Sequence, residues 1–351
     1  MSPVLRVDNL HVSVGGRHGT TRAGAVHGGR EAVRDVSFAI ERGESVGLVG
    51  ESGSGKTITC RAVLGVLPPG VAVTGGGIHL GGPTGGSGGS GGSGGDVELT
   101  GLDRRGWDAV RGNRIAAVFQ DPASYLNPSL TVGRQLAEQL RLKRGLPRAQ
   151  TRAAAVDLLA AMGLRRASAV FDQYPHELSG GMLQRALIAI AVAGEPELLV
   201  ADEATTALDA AVQAEVLDLL RHLREERGLA LLLVSHDLAV VAEVCDRVAV
   251  FYAGEIVEQG PTADVIANPR HPYTEALLRV ASLGDWRRRD LEVIPGRPPE
   301  PGAMPAGCRF AARCAHATDT CATPVVLSTL DGAGDRQVRC HRAATLELVG
   351  A

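Results

Sequence analysis

The segment "GESGSGKT" at Gly50–Thr57 combines three glycines with a lysine–threonine pair, at a spacing suited to gripping phosphate. Glycines let successive backbone N–H groups point into one concavity, because no Cβ atom obstructs them. Lys56 can reach the outer phosphates of a nucleoside triphosphate, and Thr57 offers a hydroxyl to Mg²⁺. An apolar segment, "ESVGLV", precedes the loop, and "KTITCRAVLGVL" follows with helical spacing. This strand–loop–helix context predicts a nucleotide-binding loop.

Two adjacent acids, Asp202 and Glu203, end the apolar segment "ELLVADE". Neighbouring side chains at a strand end point in different directions. We therefore expect Asp202 to hold the magnesium ion and Glu203 to polarise a water molecule. Another apolar strand, "IAAVF", runs into a polar turn that begins with Gln120.

A second candidate phosphate site is the serine–glycine–glycine turn at Ser179–Gly181, in "LSGGMLQRALIAIAVA". The turn precedes a segment with helical spacing. The N–H groups and the dipole of a helix start both favour an anion. The sequence thus predicts two helix N-termini that can bind phosphate, one after each glycine-containing turn.

The elements that must position these residues read as apolar strands alternating with helices, which favours an α/β fold with a largely parallel sheet. Residues 4–49 alternate as strands do. The segment from Thr131 to about Leu164 predicts two helices, separated by Gly145 and Pro147. The tract at 81–95 is rich in glycine and serine, which is typical of a flexible linker.

Length and composition exclude several classes of protein. A chain of 351 residues favours two domains, and a net charge of −3 gives no basic footprint for nucleic acid. No apolar run has the ~18 residues of a membrane span, and the N-terminus lacks a signal-peptide pattern. We expect a cytosolic chain that reaches a membrane only through partners.

In their order along the chain, these motifs resemble those of the nucleotide-binding subunit of an ABC transporter. The resemblance covers residues 4–260 and also rests on "TALD" and "LVSHD", beyond the segments already quoted. It implies a P-loop ATPase of ABC type, α/β in class, with a RecA-like core, an antiparallel β subdomain and a helical signature subdomain at about 123–190. We place this nucleotide-binding domain at 1–260, with 81–95 as a flexible insertion, and a small cysteine-containing extension at 261–351.

The resemblance implies that ATP and Mg²⁺ bind between two head-to-tail cassettes. Glu203 would activate water and His236 would contact the γ-phosphate. The implied ATP-binding residues are Gly50, Ser52, Gly53, Ser54, Gly55, Lys56, Thr57 and Gln120. The implied magnesium ligands are Thr57, Gln120 and Asp202. Ser179, Gly180 and Gly181 of the second subunit would close over the phosphates, and Asp209 belongs to the D-loop.

Three positions depart from the resembled pattern. Val14 stands where an aromatic side chain usually stacks on adenine, so that His11 or a loop residue is the candidate substitute. Ala204 follows Glu203 where proline is frequent. Met182 replaces a frequent glutamine, although methionine is usual in the subgroup described next.

The segments "NPRHPYTEALL" and "GCRFAARC" resemble the C-terminal extension of ATPases that serve dipeptide, oligopeptide and sometimes nickel importers. This implies two transmembrane permeases, an extracytoplasmic binding protein and a second, related but non-identical ATPase. It also implies a peripheral location at the cytoplasmic face of the inner membrane. Nickel or another small solute is the alternative cargo.

Four of the six cysteines crowd the extension: Cys308, Cys314, Cys321 and Cys340. Four thiolates suit tetrahedral zinc or an iron–sulfur cluster. The absence of close C-x2-C pairs favours [4Fe–4S], as does the resemblance, and four unligated thiols are the alternative. Cys60 and Cys245 lie alone in apolar patterns and are expected in the core.

Two other function classes stay open. A soluble ABC-type ATPase acting on DNA repair or ribosomes usually carries two cassettes, coiled-coil insertions or basic patches, whereas this sequence shows one cassette and is not basic. A regulatory, nucleotide-binding half of a heterodimer is favoured by the missing adenine aromatic, whereas the presence of Glu203 and His236 argues against it.

Overall fold

The computed structural model describes residues 3–15, 29–82, 96–204, 209–281, 294–300, 302–330 and 335–350. Most of the glycine–serine tract predicted as a flexible insertion, residues 83–95, lies outside this part of the chain. Two compact units are present. The first comprises Met1–Ile40, Ser45–Gly101 and Leu233–Ala351, and the second comprises Glu41–Glu44 and Leu102–Leu232.

Twelve strands occur in the described residues. They are β1 Leu5–Val14, β2 Arg30–Ile40, β3 Ser45–Val49, β4 Val71–Leu80, β5 Val97–Glu98, β6 Ile115–Phe119, β7 Leu198–Asp202, β8 Ala230–Val234, β9 Arg247–Tyr252, β10 Glu255–Pro261, β11 Ser328–Thr329 and β12 Gln337–Val338.

Ten α-helices accompany these strands in the same part of the chain. They are α1 Lys56–Val63, α2 Arg104–Val110, α3 Val132–Arg144, α4 Arg148–Ala161, α5 Ala167–Asp172, α6 Gly180–Val192, α7 Ala210–Arg227, α8 Leu238–Val244, α9 Thr262–Ala267 and α10 Pro272–Ala281. Among the described residues, none of the helices is both long and apolar enough to cross a bilayer.

The first unit contains a four-stranded antiparallel sheet in the order β2-β1-β4-β5. The predicted alternation of the N-terminal segment is found here, since β1 buries Leu5, Val7, Leu10 and Val12 completely or almost so. A one-sided apolar pattern of this kind is what an antiparallel sheet with one covered face requires.

The strand before the phosphate loop, β3, is buried along its whole length and pairs in parallel with β9. Gly47 in its middle allows α8 to pack closely, because an added Cβ would lie 2.3 Å from Val241 Cγ1. Cys245, at the end of α8, is 6% exposed, and Cys60 in α1 is fully buried. Both isolated cysteines thus lie in the core, as the sequence predicted.

The C-terminal extension is attached to the rest of the first unit through strand pairing and through ion pairs of two buried arginines. β12 pairs antiparallel with β10, and β11 pairs with β12. Arg336 Nη2 lies 2.5 Å from Glu258 Oε1, and Arg339 Nη2 lies 2.9 Å from Asp35 Oδ2. Because the arginine side chains are almost fully buried, these pairs fix the extension on the unit that carries the phosphate loop.

The second unit contains β6 and β7 in parallel register, with the first residues of β8 beside β7. All five residues of β7 are buried, as expected for a strand covered on both faces. The two helices predicted between Thr131 and Leu164 are α3 and α4. Gly145 ends α3 in the left-handed conformation, at φ 64°, and Pro147 precedes α4.

Candidate functional site

The phosphate loop leaves β3 and enters α1 through backbone that favours glycine. Gly50, Gly53 and Gly55 have φ values of 147°, 78° and 106°. A Cβ atom at Gly50 would lie 2.1 Å from the carbonyl oxygen of Phe251, so no other residue fits there. The glycines predicted from spacing are therefore favoured by conformation at all three positions, and at Gly50 also by the lack of space.

Lys56, the first residue of α1, lies within the concavity of this loop and is 4% exposed. Its ammonium group donates to the carbonyl oxygens of Gly50, at 2.7 Å, and Glu51, at 3.0 Å, and to Ser54 Oγ at 3.2 Å. These bonds hold a positive charge at the centre of a ring of backbone groups. Such a loop is prepared for phosphate oxygens.

The loop borders a cavity of about 380 Å³ in the first unit. Its described lining residues are Val14, Arg30, Ala32, Glu51, Ser52, Gly53, Ser54, Ile58, Tyr252, Ala253, Pro298, Pro299 and Met304. The volume falls within the range of about 300–1,000 Å³ that is typical of small-molecule sites. Three of these residues belong to the C-terminal extension, which sequence reasoning did not connect with the phosphate loop.

The suggestion that His11 replaces the missing adenine aromatic is not supported. His11 Nδ1 lies 3.0 Å from Glu31 Oε1, and its Nε2 lies 3.1 Å from Asn9 Oδ1. His11 is not among the described residues that line the cavity, whereas Val14 is.

In the second unit, Asp202 is the last residue of β7 and is 6% exposed. The parallel register pairs it with Phe119, so that Gln120 and Glu203 follow at the same edge of the two strands. Glu203 has φ 49°, a left-handed backbone that few residues with side chains adopt. Sequence reasoning gave the carboxylates but could not reveal this strained backbone.

The serine–glycine–glycine turn starts α6 at the surface of the second unit. Ser179 caps the helix, since its Oγ accepts from the Met182 N–H at 3.4 Å. Ser179 and Gly180 are exposed. Gly181 faces α7, where an added Cβ would lie 2.6 Å from Val212 Cγ1. The first N–H groups of this helix are therefore open to solvent and to a ligand.

Two further predicted residues lie next to helix starts. Asp209 caps α7, because its Oδ1 accepts from the Val212 N–H at 3.0 Å. His236 is exposed immediately after β8, and Asp237 behind it caps α8 by accepting from the Ala239 N–H at 2.8 Å. The residues predicted to hold magnesium are divided, with Thr57 in the first unit and Gln120 and Asp202 in the second. Their joint ligation stays a prediction.

The structure brings the four cysteines of the extension to one small cavity, which His316 and His341 also line. Burial raises the pKa of Cys308 to about 11, and it raises the pKa of Cys314 and Cys340. Within the described ranges, however, no three His, Cys, Asp or Glu residues form a group that could hold a metal ion. The described residues therefore show no metal centre at this cavity, and the centre expected from the four cysteines stays a prediction.

A glycine loop with a buried lysine between a strand and a helix defines the class: a P-loop nucleotide-binding protein. Comparison with known proteins identifies the family within this class. Residues 33–206 match the family described as ABC transporter, and residues 257–321 match the family described as oligopeptide/dipeptide transporter, C-terminal region.

Two relatives cover nearly the whole chain, and each is named as a peptide import ATP-binding protein. The one from Brucella melitensis biotype 1 is 45% identical over 322 residues, or 89% of this chain and 93% of that protein. The one from Brucella abortus (strain 2308) is 42% identical over 340 residues, which is 97% of this chain and 95% of that protein.

Solved structures give the same fold. The ATP-binding cassette MJ0796, in a dimeric post-hydrolysis state bound to ADP and Pi, matches with a TM-score of 0.59 and 25% identity, covering 74% of this chain and 98% of that one. The cbiO1 protein of Clostridium perfringens, part of the ABC transporter complex cbiONQ, matches with a TM-score of 0.60 and 25% identity. This match covers 76% of the present chain and 92% of cbiO1. The chain belongs to the ABC transporter family, as an ATPase subunit of its oligopeptide/dipeptide group.

Proposed function

We propose that this chain hydrolyses ATP at a site shared with a second cassette and thereby drives the import of di- or oligopeptides. The observation that carries the proposal is the loop around Lys56, a buried positive charge ringed by backbone groups at a helix start. The peptide cargo is supported by two relatives that are named for peptide import.

The phosphate loop binds and orients the triphosphate. Lys56 exchanges its bonds to Gly50 and Glu51 for phosphate oxygens, while the loop N–H groups fix the chain of phosphates. Thr57, Gln120 and Asp202 would hold Mg²⁺, since their oxygen atoms are of the kind that this ion prefers. When bound, the ion would supply positive charge toward the phosphates.

Glu203 and His236 act on the attacking water and the γ-phosphate. Glu203 accepts the proton of the water or orients it, and the strained backbone that follows β7 aims its carboxylate. His236 is exposed at the end of β8 and can donate to a phosphate oxygen. Both roles concern charge that is largest in the transition state, where fixed donors have the greatest effect.

The second subunit contributes its serine–glycine–glycine turn. Ser179 and Gly180 are exposed at the start of a helix of 13 residues, and no side chain of the glycines shields its N–H groups. An anion of another subunit can therefore reach them. Asp209, at the start of α7, lies at the D-loop of the same shared interface. The second cassette is a related, non-identical chain.

The remaining partners are two transmembrane permeases and an extracytoplasmic binding protein that selects the solute. The chain therefore works at the cytoplasmic face of the inner membrane as a peripheral subunit. Reconstituted complexes should take up labelled di- or oligopeptides in an ATP-dependent manner. If the complexes took up nickel but no peptide, the proposed cargo would be wrong and nickel would be the transported solute.

The four cysteines of the extension bind a metal centre in this proposal, [4Fe–4S] in preference to zinc. Support comes from their shared cavity and from backbone N–H groups directed at sulfur, from His316 to Cys314 and from Arg342 to Cys340, each at 3.4 Å. Such bonds favour thiolates. Anaerobically purified protein should contain iron and sulfide, and Cys314→Ser should lose them while Cys60→Ala keeps them. If the purified protein contained no iron, sulfide or zinc, the proposal of a metal centre would be wrong.

Substitution of Glu203 tests the ATPase proposal. Glu203→Gln should retain binding of Mg-ATP but lower steady-state turnover by about 100- to 10,000-fold, because the water loses its base. Glu225→Gln, at an exposed carboxylate of α7, is the matched control and should be unaffected. Measured in the assembled transporter, with each cassette changed separately, normal turnover of Glu203→Gln would reject the assigned role.

A further inference from the structure

The cavity beside the phosphate loop has one polar wall and one apolar wall. Ser52, Gly53 and Ser54 of the loop form the polar side. The apolar aliphatic lining residues are Val14, Ala32, Ile58, Ala253, Pro298, Pro299 and Met304. A nucleoside triphosphate whose phosphates lie on the loop must place its base on an apolar surface, since a flat base is poorly matched to the charged loop.

The described residues of that surface offer no exposed aromatic side chain for stacking. Among the described lining residues, Tyr252 is the only aromatic one, and its side chain is fully buried in the core. Val14, at the end of β1, is 37% exposed and offers a small aliphatic face. The other apolar lining residues are Ala32, Ile58 and Ala253, and, from the C-terminal extension, Pro298, Pro299 and Met304.

The segment of the extension that lines the cavity is held in place at both ends. Arg313 Nε donates to the carbonyl oxygen of Pro295 at 2.7 Å, and its Nη2 donates to that of Ile294 at 3.0 Å. On the other side, Gly302 has φ 102° and abuts Arg30, because an added Cβ would lie 3.3 Å from Arg30 Cδ. Pro298 and Pro299 therefore lie between two positioned points of the segment before ligand binds.

Resting on the proposed function, we propose that Met304, Pro298 and Pro299 form the base-binding wall of the nucleotide site. The C-terminal extension thereby sets how tightly the base of ATP is held, in place of an aromatic side chain. A flexible thioether and two rigid rings cover a base face through dispersion and burial of apolar area. These contacts involve only the base, so they do not affect how the phosphate loop binds the phosphates.

Met304→Ser in the full-length protein tests this assignment. Its dissociation constant for Mg-ATP should rise by about five- to tenfold, as expected when part of the apolar area between a methionine side chain and the base is lost. Its affinity for inorganic tripolyphosphate with Mg²⁺ should stay within about twofold of wild type. Met304→Leu conserves the volume and should bind Mg-ATP like the wild type. Isothermal titration calorimetry measures both ligands.

Val326→Ser is the matched control, because it removes an apolar side chain that is 68% exposed elsewhere in the extension. It should change neither constant. Unaltered Mg-ATP affinity in Met304→Ser, or equal losses for Mg-ATP and tripolyphosphate, would overturn the base wall. Lys56→Ala separates this outcome from failure of the proposed function, since it should abolish binding of both ligands. If Lys56→Ala still bound Mg-ATP normally, the phosphate-loop assignment itself would be wrong.

Discussion

Arg313 of the C-terminal extension holds the carboxylate of Glu51 in the phosphate loop through two hydrogen bonds. Arg313 Nη1 lies 2.7 Å from Glu51 Oε2, and its Nη2 lies 3.0 Å from Oε1. The backbone N–H of Glu51 donates to Tyr273 Oη at 2.9 Å. The hydrogen bonds that Arg313 donates to Glu51 raise the pKa of Arg313, which stays protonated. The second residue of the phosphate loop is thus fixed by residues far along the chain.

Arg313→Ala should weaken binding of Mg-ATP by about tenfold. Two charge-assisted hydrogen bonds are lost, but Glu51 is 29% exposed and can rehydrate, so that the net effect is a fraction of the ~1.5–3 kcal/mol assigned to each such bond. Glu51→Gln keeps one neutral partner and should give an intermediate loss. Calorimetric titration measures the constants, and Arg297→Ala, at an exposed arginine of the same segment, is the control. Wild-type affinity in Arg313→Ala would show that the pair does not order the loop.

Glu203→Gly should make the protein more stable while it stops turnover. Left-handed backbone costs a residue with a side chain roughly 1–2 kcal/mol, and glycine avoids this cost at an entropic penalty of about 0.5–1 kcal/mol. We expect a net gain of up to about 1 kcal/mol in the free energy of unfolding, measured by urea denaturation. Glu203→Ala lacks the carboxylate but keeps the strain, so it should show no gain.

Glu195 provides the matched control for this effect, since it has φ 55° at the surface. Glu195→Gly should show a similar gain in stability with normal ATPase activity. A stability gain in Glu203→Ala equal to that of Glu203→Gly would assign the effect to the carboxylate, and the argument from backbone strain would then be wrong.

In protein freed of any metal, Cys308 should resist alkylation at pH 8 and react only as the pH approaches about 11, to which burial raises its pKa. The folded pKa lies above the unfolded value, so the thiol contributes stability that is present below pH ~9 and is lost as pH rises toward ~11. Mass spectrometry after brief iodoacetamide treatment measures modification of each cysteine. Urea-denatured protein is the control and should react at Cys308 near the ordinary thiol pKa. Rapid modification of folded Cys308 at pH 8 would contradict this prediction.

The sequence predicted the chemistry that depends on local geometry. Gly50 and Gly55 have the positive φ values expected from their spacing, and Ser179 caps the helix that its turn predicted. These features lie within a few residues of one another, where propensity and spacing decide the conformation. The parallel pairing of β6 and β7 followed from their continuous apolar character.

Contacts between distant segments could not be predicted in this way. Arg313 and Glu51 are 262 positions apart, and no sequence pattern around either residue predicts their contact. The same holds for Met304 in the cavity of the loop. Such pairs depend on how β12 and the buried arginines attach the extension to the first unit, which a single sequence does not encode as a local signal.

Arg336→Ala should destabilise the first unit strongly at pH 8 and less at pH 5.5. Glu258 is completely buried, and burial raises its pKa even though Arg336 and the N–H groups of Arg270 and His271 bind its oxygens. Removing the arginine leaves an unpaired buried carboxylate, a change that typically costs about 3–5 kcal/mol.

The pH dependence of the Arg336→Ala variant has a definite sign. Without Arg336 the folded pKa of Glu258 rises further above the unfolded value, so that the folded state binds the proton first and gains stability as pH falls. Urea denaturation at the two pH values measures this, with wild type as reference. Adding Glu258→Gln should recover much of the loss at pH 8, because no buried charge remains. An equal loss at both pH values, with no recovery in the double variant, would place the effect in the bonds of Arg336 to the carbonyl oxygens of Asp264 and Asn268 instead.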